Sequence, residues 1–219
     1  MEHVTENDIK NMDKLYRRNL INSCTGYKSA NLIATKAKNG ATNVAVFSSV
    51  IHMGSNPPLI GFIMRPPTVP RNTYKNLRTT GYFTVNHIHE NMISQAHQTA
   101  ARYEPEISEF DETGLEKEYL DNFYAPYVKQ STIKLGCRYV NEYHIKENDT
   151  IMVIAGIEHL YYEPGIQMPD GFLRLEDAGT VAINGLDGYA LPVLLDRFHY
   201  AKPGQELKSF FKKEDSQKN

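Results

Sequence analysis

Tryptophan is absent from the 219 residues, and cysteine occurs only at Cys24 and Cys137. Two thiols this far apart make no disulfide scaffold, and without CxxC or a cysteine cluster there is no set for zinc or iron–sulfur. Both are expected as reduced core residues. No eighteen-residue apolar run occurs, so no helix is predicted to span a bilayer. The opening MEHVTENDIKNMDKLYRRNL is charged throughout and lacks a secretory apolar stretch, which predicts a cytoplasmic protein. In that setting the sequon Asn148-Asp149-Thr150 is idle. Excess charge is lacking too: 24 Lys and Arg face 26 Asp and Glu, a net of −2. No broad field draws the chain to nucleic acid or an anionic membrane. GxGxxG, the P-loop, HExxH and GxSxG are all missing, which argues against a Rossmann-held nicotinamide cofactor, a zincin and a serine hydrolase. No nucleophile with a partner base stands out, so no catalytic residue is assigned and redox chemistry would fall to a bound cofactor.

What is present is an ordinary globular composition, 41% apolar and 23% charged, with 14 Tyr and 9 Phe. Ile9, Met12, Tyr16 and Leu20 recur at spacings of three and four, predicting one helix over Thr5–Ile21 capped by Thr5 or Asn7. Ser29–Thr35 is a short mixed run, Lys38-Asn39-Gly40 a turn, and Thr42–Ile51 a strand paired back on the first. Gly54–Pro58 breaks the chain before another strand at Leu59–Met64. The proline-rich Arg65–Pro70 leads to a cap-like Asn72-Thr73 and a helical piece around Tyr74–Leu77 that Gly81 ends. Tyr82–Ile88 is a strand, and Asn91 is expected to cap a helix running to about Tyr103. Residues 104–130 show no clean period and form an excursion with room for a helical turn. Long strands near Thr132–Asn141 and Thr150–Tyr161 are joined by a polar turn at Lys146–Asp149. The fold expected is mainly β, an antiparallel barrel with added helices in one domain over residues 1–204, with 205–219 a charged and mobile tail.

Two constellations could carry chemistry. Arg65 and Arg71 flank a helix start, where free N–H groups and the peptide dipoles favour an anion. Guanidinium groups grip phosphate oxygens with two parallel hydrogen bonds, and the Thr73 hydroxyl could add one more. A capped helix with two solvated arginines would look the same in sequence. At Asn43–Ser49 an apolar strand closes on Ser48-Ser49, whose hydroxyls and amides suit a polar ligand; a strand emerging into solvent is the plain alternative. His87-Ile88-His89 has a metal-like spacing with no evident third ligand, and no metal is assigned.

Longer runs carry a resemblance. Gly26–Thr35 (GYKSANLIAT), Asn43–Pro66 (NVAVFSSVIHMGSNPPLIGFIMRP), Arg71–Ile88 (RNTYKNLRTTGYFTVNHI), Ala96–Tyr103 (AHQTAARY), Ser108–Phe110 and Arg197–Gly204 (RFHYAKPG) resemble the flavin reductase-like, FMN-binding split-barrel family, especially its flavoredoxin branch. The resemblance covers most of the chain from about residue 20 to 204, and its specificity lies in an Asn, a Ser-Ser, a Pro-Pro and an Arg-x-Thr in fixed order. It implies a six-stranded split barrel, a homodimer, and FMN near the dimer interface. It also implies an oxidoreductase passing electrons from NAD(P)H through FMN to a flavin or other acceptor. A carrier reduced by a redox partner protein is the alternative. By position, Phe47, Ser48 and Ser49 would lie along the ribityl chain and ring, with Asn43 in the same cofactor-binding set. Arg65, Arg71, Asn72 and Thr73 would hold the phosphate. Lys28, Ala30 and Asn31 would approach the ring edge, where the Lys28 cation could favour the anionic reduced flavin. Thr99 is a further ring-side candidate, from the other subunit. One departure stands out: where many NAD(P)H:flavin reductases of this family carry Gly-Asp-His, this chain has Asn148-Asp149-Thr150, and the loss of the His favours the carrier. With no Trp, ring stacking is left to Phe and Tyr.

Overall fold

The computed structural model describes residues 1–66, 71–104 and 107–211. Most of the expected proline-rich loop and the end of the expected tail lie outside the described residues. In chain order the elements are α1 (Glu6–Asn11), α2 (Lys14–Cys24), β1 (Lys28–Ser29), β2 (Asn31–Lys36), β3 (Thr42–Phe47), β4 (Ile51–Ser55), β5 (Pro58–Met64), α3 (Asn72–Thr80), β6 (Tyr82–His87), α4 (Ile93–Gln98), α5 (Glu109–Thr113), β7 (Lys117–Glu118), β8 (Tyr127–Val128), β9 (Ile133–Ile145), β10 (Thr150–Tyr162), β11 (Ala182–Asn184) and β12 (Gly188–Ala190).

The single N-terminal helix expected from periodicity is two. Thr5 and Asp8 form a capping box on α1, but Met12 and Asp13 are extended, and the Asp13 carboxylate accepts the Leu15 and Tyr16 amides to start α2. Neither helix buries a residue, so Cys24, at the end of α2, is exposed rather than in the core; Cys137 is buried. Among the described residues no helix is long and apolar enough to cross a membrane.

The principal sheet is antiparallel with strand order β3-β2-β6-β9-β10-β5-β4, seven strands with β4 a short edge. One face closes round a core of Ile33, Phe62, Phe83, Val85, Cys137, Val153 and Ala155. Phe47, Phe62 and Phe83 meet edge to face there, with ring centroids 5.5 Å apart in both pairs. The other face of β2 and β3 is covered by α4, α5 and β11 through Leu32, Ala34, Val44, Ala96, Phe110 and Ile183. β2 is therefore buried on both faces, the physical reason that NLIAT shows no alternation. A small sheet, β1-β11-β12, flanks it.

The strand expected over Thr42–Ile51 ends at Phe47. Ser49 Oγ accepts the Ile63 N–H (3.1 Å) and donates to the Ile63 carbonyl (3.4 Å), while Ser29 Oγ donates to the Val50 carbonyl (2.7 Å). These side-chain bonds replace ladder bonds and carry the chain across the gap between β3 and β5, so that Ile51–Ser55 forms a new edge strand on β5. They are the seam of the split in the barrel.

Beyond β6 the expected Asn91 cap belongs to His89, whose Nδ1 accepts the Asn91 N–H at 3.1 Å and starts a single 3₁₀ turn. α4 then stops at Gln98, well short of Tyr103, because Thr99 closes it. The excursion over 104–130 holds α5, the β7–β8 pair and an aromatic cover on the outer face of β9 and β10, made by Phe123 and Tyr127. Near the C-terminus, His199 N–H bonds the Lys208 carbonyl and Phe210 N–H bonds the Arg197 carbonyl, so 208–210 fold back on 197–199.

Candidate functional site

β5 delivers Arg65 at its end, and α3 begins at Asn72 with Arg71 as its N-cap. Among the described residues no side-chain cap bond is made at Arg71, and Asn72, the first residue of α3, has a partner of its own. The expected cap pair lies inside the first turn instead, and Thr73 is buried. Gly81 ends the helix at φ 79°, its N–H bonding the Leu77 carbonyl.

Arg71 is half-buried, and its Nε is enclosed with no hydrogen-bond partner among the described residues. Burial lowers its pKa below the ordinary guanidinium value, and the charges of Arg65 and Arg102 lower it further. Among the described residues none of these three arginines has a carboxylate partner; the ion pairs use other cations. Arg65 and Arg102 are exposed but near enough for their charge to act on Arg71, whose buried donor is unused among the described residues, an arrangement suited to an anion. Arg102 was not legible as a site residue. It lies about thirty residues from Arg71 in the chain, and only the fold brings its charge within reach.

Asn43 and Thr73 are brought together, though as a structural pair. With its amide oriented to satisfy every neighbour, the Asn43 oxygen accepts from Thr73 Oγ1 (2.9 Å) and Val44 N–H (3.1 Å), and its nitrogen donates to Glu109 Oε1 (3.2 Å). Glu109 is enclosed enough for burial to raise its pKa. This network ties β3 to α3 and α5 and fixes the angle at which α3 presents Arg71.

Phe47 points into the barrel against Phe62, which leaves its main chain, not its ring, for a ligand. Ser48 is half-buried, and Ser49 is committed to Ile63, two residues before Arg65. Ser48-Ser49 thus runs beside the strand that ends in the arginine cluster. Ala30 is buried with its carbonyl on the Ile88 amide (3.1 Å). Lys28 does not face this track freely: its ammonium donates to the Asn22 carbonyl (2.7 Å), Thr25 Oγ1 (3.1 Å) and the Gly26 carbonyl (3.2 Å) at the end of α2. Thr99 is buried, its hydroxyl on the Ala96 carbonyl at 2.7 Å. Asn72 has its own partner and lies at the wall of a neighbouring cleft.

Asn31 carries a second signal. It stands in register with Phe47 on one side and His87 on the other, so the three side chains share a face. Asn31 Nδ2 and His87 Nδ1 are both buried without a partner, and burial depresses the His87 pKa to about 4, so its imidazole is neutral. His87 and His89 do not act as a pair, since His89 caps the following turn.

The Asn148-Asp149-Thr150 triplet forms the tip of the β9–β10 hairpin, with Asp149 at φ 58° and Thr150 Oγ1 donating to Asn148 Oδ1 (2.7 Å). An imidazole is nevertheless present there, because His144 Nε2 lies 2.6 Å from Asp149 Oδ1. It comes from β9 rather than from the triplet, a placement that only the strand pairing reveals.

The antiparallel split barrel is a fold shared with flavin reductases and flavoredoxins. Residues 27–189 match the flavin reductase like domain, and the chain belongs to that family. A structure from Shewanella frigidimarina NCIMB 400, provisionally described as a flavin reductase with a split barrel domain, is 44% identical with a TM-score of 0.89, over 92% of this chain and all of that one. Nitrilotriacetate monooxygenase component B from Bacillus cereus shares the fold at TM-score 0.77 and 19% identity, covering 89% of this chain and 96% of that one. Flavoredoxin of Desulfovibrio vulgaris (Miyazaki F) does so at 0.66 and 17%, covering 81% and 91%. Matches to curated proteins of Aquifex aeolicus and Halalkalibacterium halodurans span about half the length of those relatives.

Proposed function

We propose that this protein is an FMN-binding oxidoreductase that passes electrons from NAD(P)H to a flavin or another acceptor. The observation that carries the reading is Arg71 at the start of α3, its enclosed Nε unused and Arg65 and Arg102 acting on it, with no carboxylate partner for the three among the described residues. Those cations would hold the phosphate. The main chain of Phe47 and the Ser48-Ser49 stretch would run along the ribityl group, with Asn31 toward the ring edge. Thr73 and Asn43, paired with each other, orient the helix that brings Arg71 to the phosphate. Bound FMN would supply the redox chemistry by accepting a hydride and releasing electrons to the acceptor. The protein's own part is binding and orientation; no side chain is required to move a proton.

The reading includes a homodimer. Ile51 and Met53 on the edge strand β4 are about half exposed, and Val193, Leu195 and Tyr200 on the C-terminal arm are 76%, 89% and 91% exposed, apolar surface that a second subunit would cover. The alternative donor is a redox partner protein. It is favoured by the hairpin tip, where Thr150 is tied back to Asn148 and no histidine follows Asp149.

The visible spectrum of the purified protein before and after anaerobic NADH or NADPH tests both. A flavin spectrum bleached by either nucleotide supports the oxidoreductase. Bound flavin untouched by both nucleotides supports the carrier, and failure to take up FMN at all would end the reading.

A further inference from the structure

β2 begins at Asn31, β3 ends at Phe47 and β6 ends at His87, so these three residues form the last row at one mouth of the barrel. One row further in on the same face, Ile33 and Val85 stand in register and belong to the apolar core. At the mouth the lining therefore turns from apolar to polar. The Ile88 N–H bonds the Ala30 carbonyl, which makes Asn31 and His87 a non-hydrogen-bonded pair. Side chains stand closest in such pairs, with Cβ atoms about 4.5–5.5 Å apart.

Neither group uses what it brings. Asn31 is only 1% exposed, yet among the described residues its NH₂ has no partner, and His87 Nδ1 is enclosed without one beside it. Asn86 shows what a structural amide does on the same strand. Its NH₂ donates to the Leu32 carbonyl (3.2 Å) and Thr84 Oγ1 (2.9 Å), and its oxygen accepts the Val128 N–H (3.0 Å). Buried polar groups left unpaired cost stability, and two in one row call for an occupant that pairs both. Burial holds the His87 imidazole uncharged, with a pKa of about 4, so one of its ring nitrogens is free to accept. A donor beside an acceptor complements a ligand edge on which a carbonyl adjoins an N–H, the edge that a cyclic imide offers. The pyrimidine ring of a flavin carries that edge. Position along the chain agrees: Phe47 is followed by Ser48-Ser49, and Ser49 is bonded to Ile63, two residues before Arg65. The polar row thus opens the track that Ser48-Ser49 continues toward the arginines.

We propose that Asn31 and His87 seat the pyrimidine edge of the flavin ring, the Asn31 NH₂ donating to a ring carbonyl and His87 Nδ1 accepting the adjacent N3–H. His87 is thereby a positioning residue for the ring. The seat rests on the flavin reading above and goes beyond it in assigning His87 and the edge of the ring that faces it.

Flavin fluorescence quenching with FMN, riboflavin and 3-methylriboflavin tests the seat in wild type, His87→Leu and His87→Gln. Riboflavin has no phosphate, so it separates the ring from the arginines. His87→Leu should weaken riboflavin and FMN by the same factor, about tenfold, the upper end for a neutral hydrogen bond. His87→Gln, which keeps an acceptor, should recover most of that loss. With N3–H replaced by a methyl group, 3-methylriboflavin should bind wild type more weakly than riboflavin does, and His87→Leu should show little of that difference. Unchanged riboflavin affinity in His87→Leu overturns the seat. So does wild type that binds 3-methylriboflavin as tightly as riboflavin, a result that needs no variant to fold. In both cases FMN still binds and the flavin reading stands; protein that takes up neither FMN nor riboflavin removes the reading and the seat together.

Discussion

At Arg71 three costs meet in one side chain: partial burial, an enclosed Nε without an acceptor, and two neighbouring guanidinium groups. Without an anion the cluster repels itself, so Arg71 contributes to binding and not to folding. Arg71→Ala is expected to weaken FMN binding by about 1.5–3 kcal/mol, the range for a charge-assisted hydrogen bond. Its melting temperature without flavin should not fall, and flavin fluorescence quenching with thermal melts reads both. His87 behaves differently, because its neutrality is a folding requirement. Its native pKa of about 4 lies below the unfolded value of 6.5, so the unfolded chain binds more protons between those two values. Stability attributable to His87 is therefore complete above pH 6.5, falls as pH drops toward 4, and amounts to roughly 3 kcal/mol. Glu109 slopes the opposite way, since its raised native pKa makes stability fall as pH rises through it. Urea denaturation of wild type and His87→Leu across that pH range isolates the histidine: the variant's stability should be flatter with pH.

Among the elements, β9 shows how a strand accommodates the chain that crosses it. A Cβ on Gly136 would collide with the Tyr127 hydroxyl and lie 3.1 Å from the Phe123 ring, so this glycine is the recess into which the aromatic cover sits. Gly136→Ala should cost about 1–3 kcal/mol through overpacking, measurable by denaturant unfolding, with flavin affinity retained because the cover lies on the face away from the arginines. The seam at Ser49 and the cap at Asp13 teach a related lesson. Each is a short polar side chain that takes over main-chain hydrogen bonds, ending a strand or starting a helix that apolar periodicity alone would have run straight through.

For the whole molecule, the apolar C-terminal arm and the exposed face of β4 are more than a soluble monomer needs to show. Leu195→Asp is expected to convert a dimer to a monomer in sedimentation velocity while leaving the far-ultraviolet circular dichroism unchanged. A wild-type protein that sediments as a monomer would remove the dimer from the proposed function.

The chain by itself settled what depends on local chemistry and order along the backbone. The barrel class and the long hairpin turning at Lys146–Asp149 were legible, because strand composition and turn residues are local properties. The tertiary structure decided what depends on non-local approach. It joined Arg102 to the cluster, gave Thr73 to Asn43 and Lys28 to α2, and set His87 beside Asn31. It also placed a histidine from β9 against Asp149. Each of these pairs residues distant in sequence or on different elements, so register and packing had to exist before their chemistry could be read. Which cations meet, and that the described residues offer them no counter-charge, is a property of the fold, because it depends on segments that lie far apart in the chain.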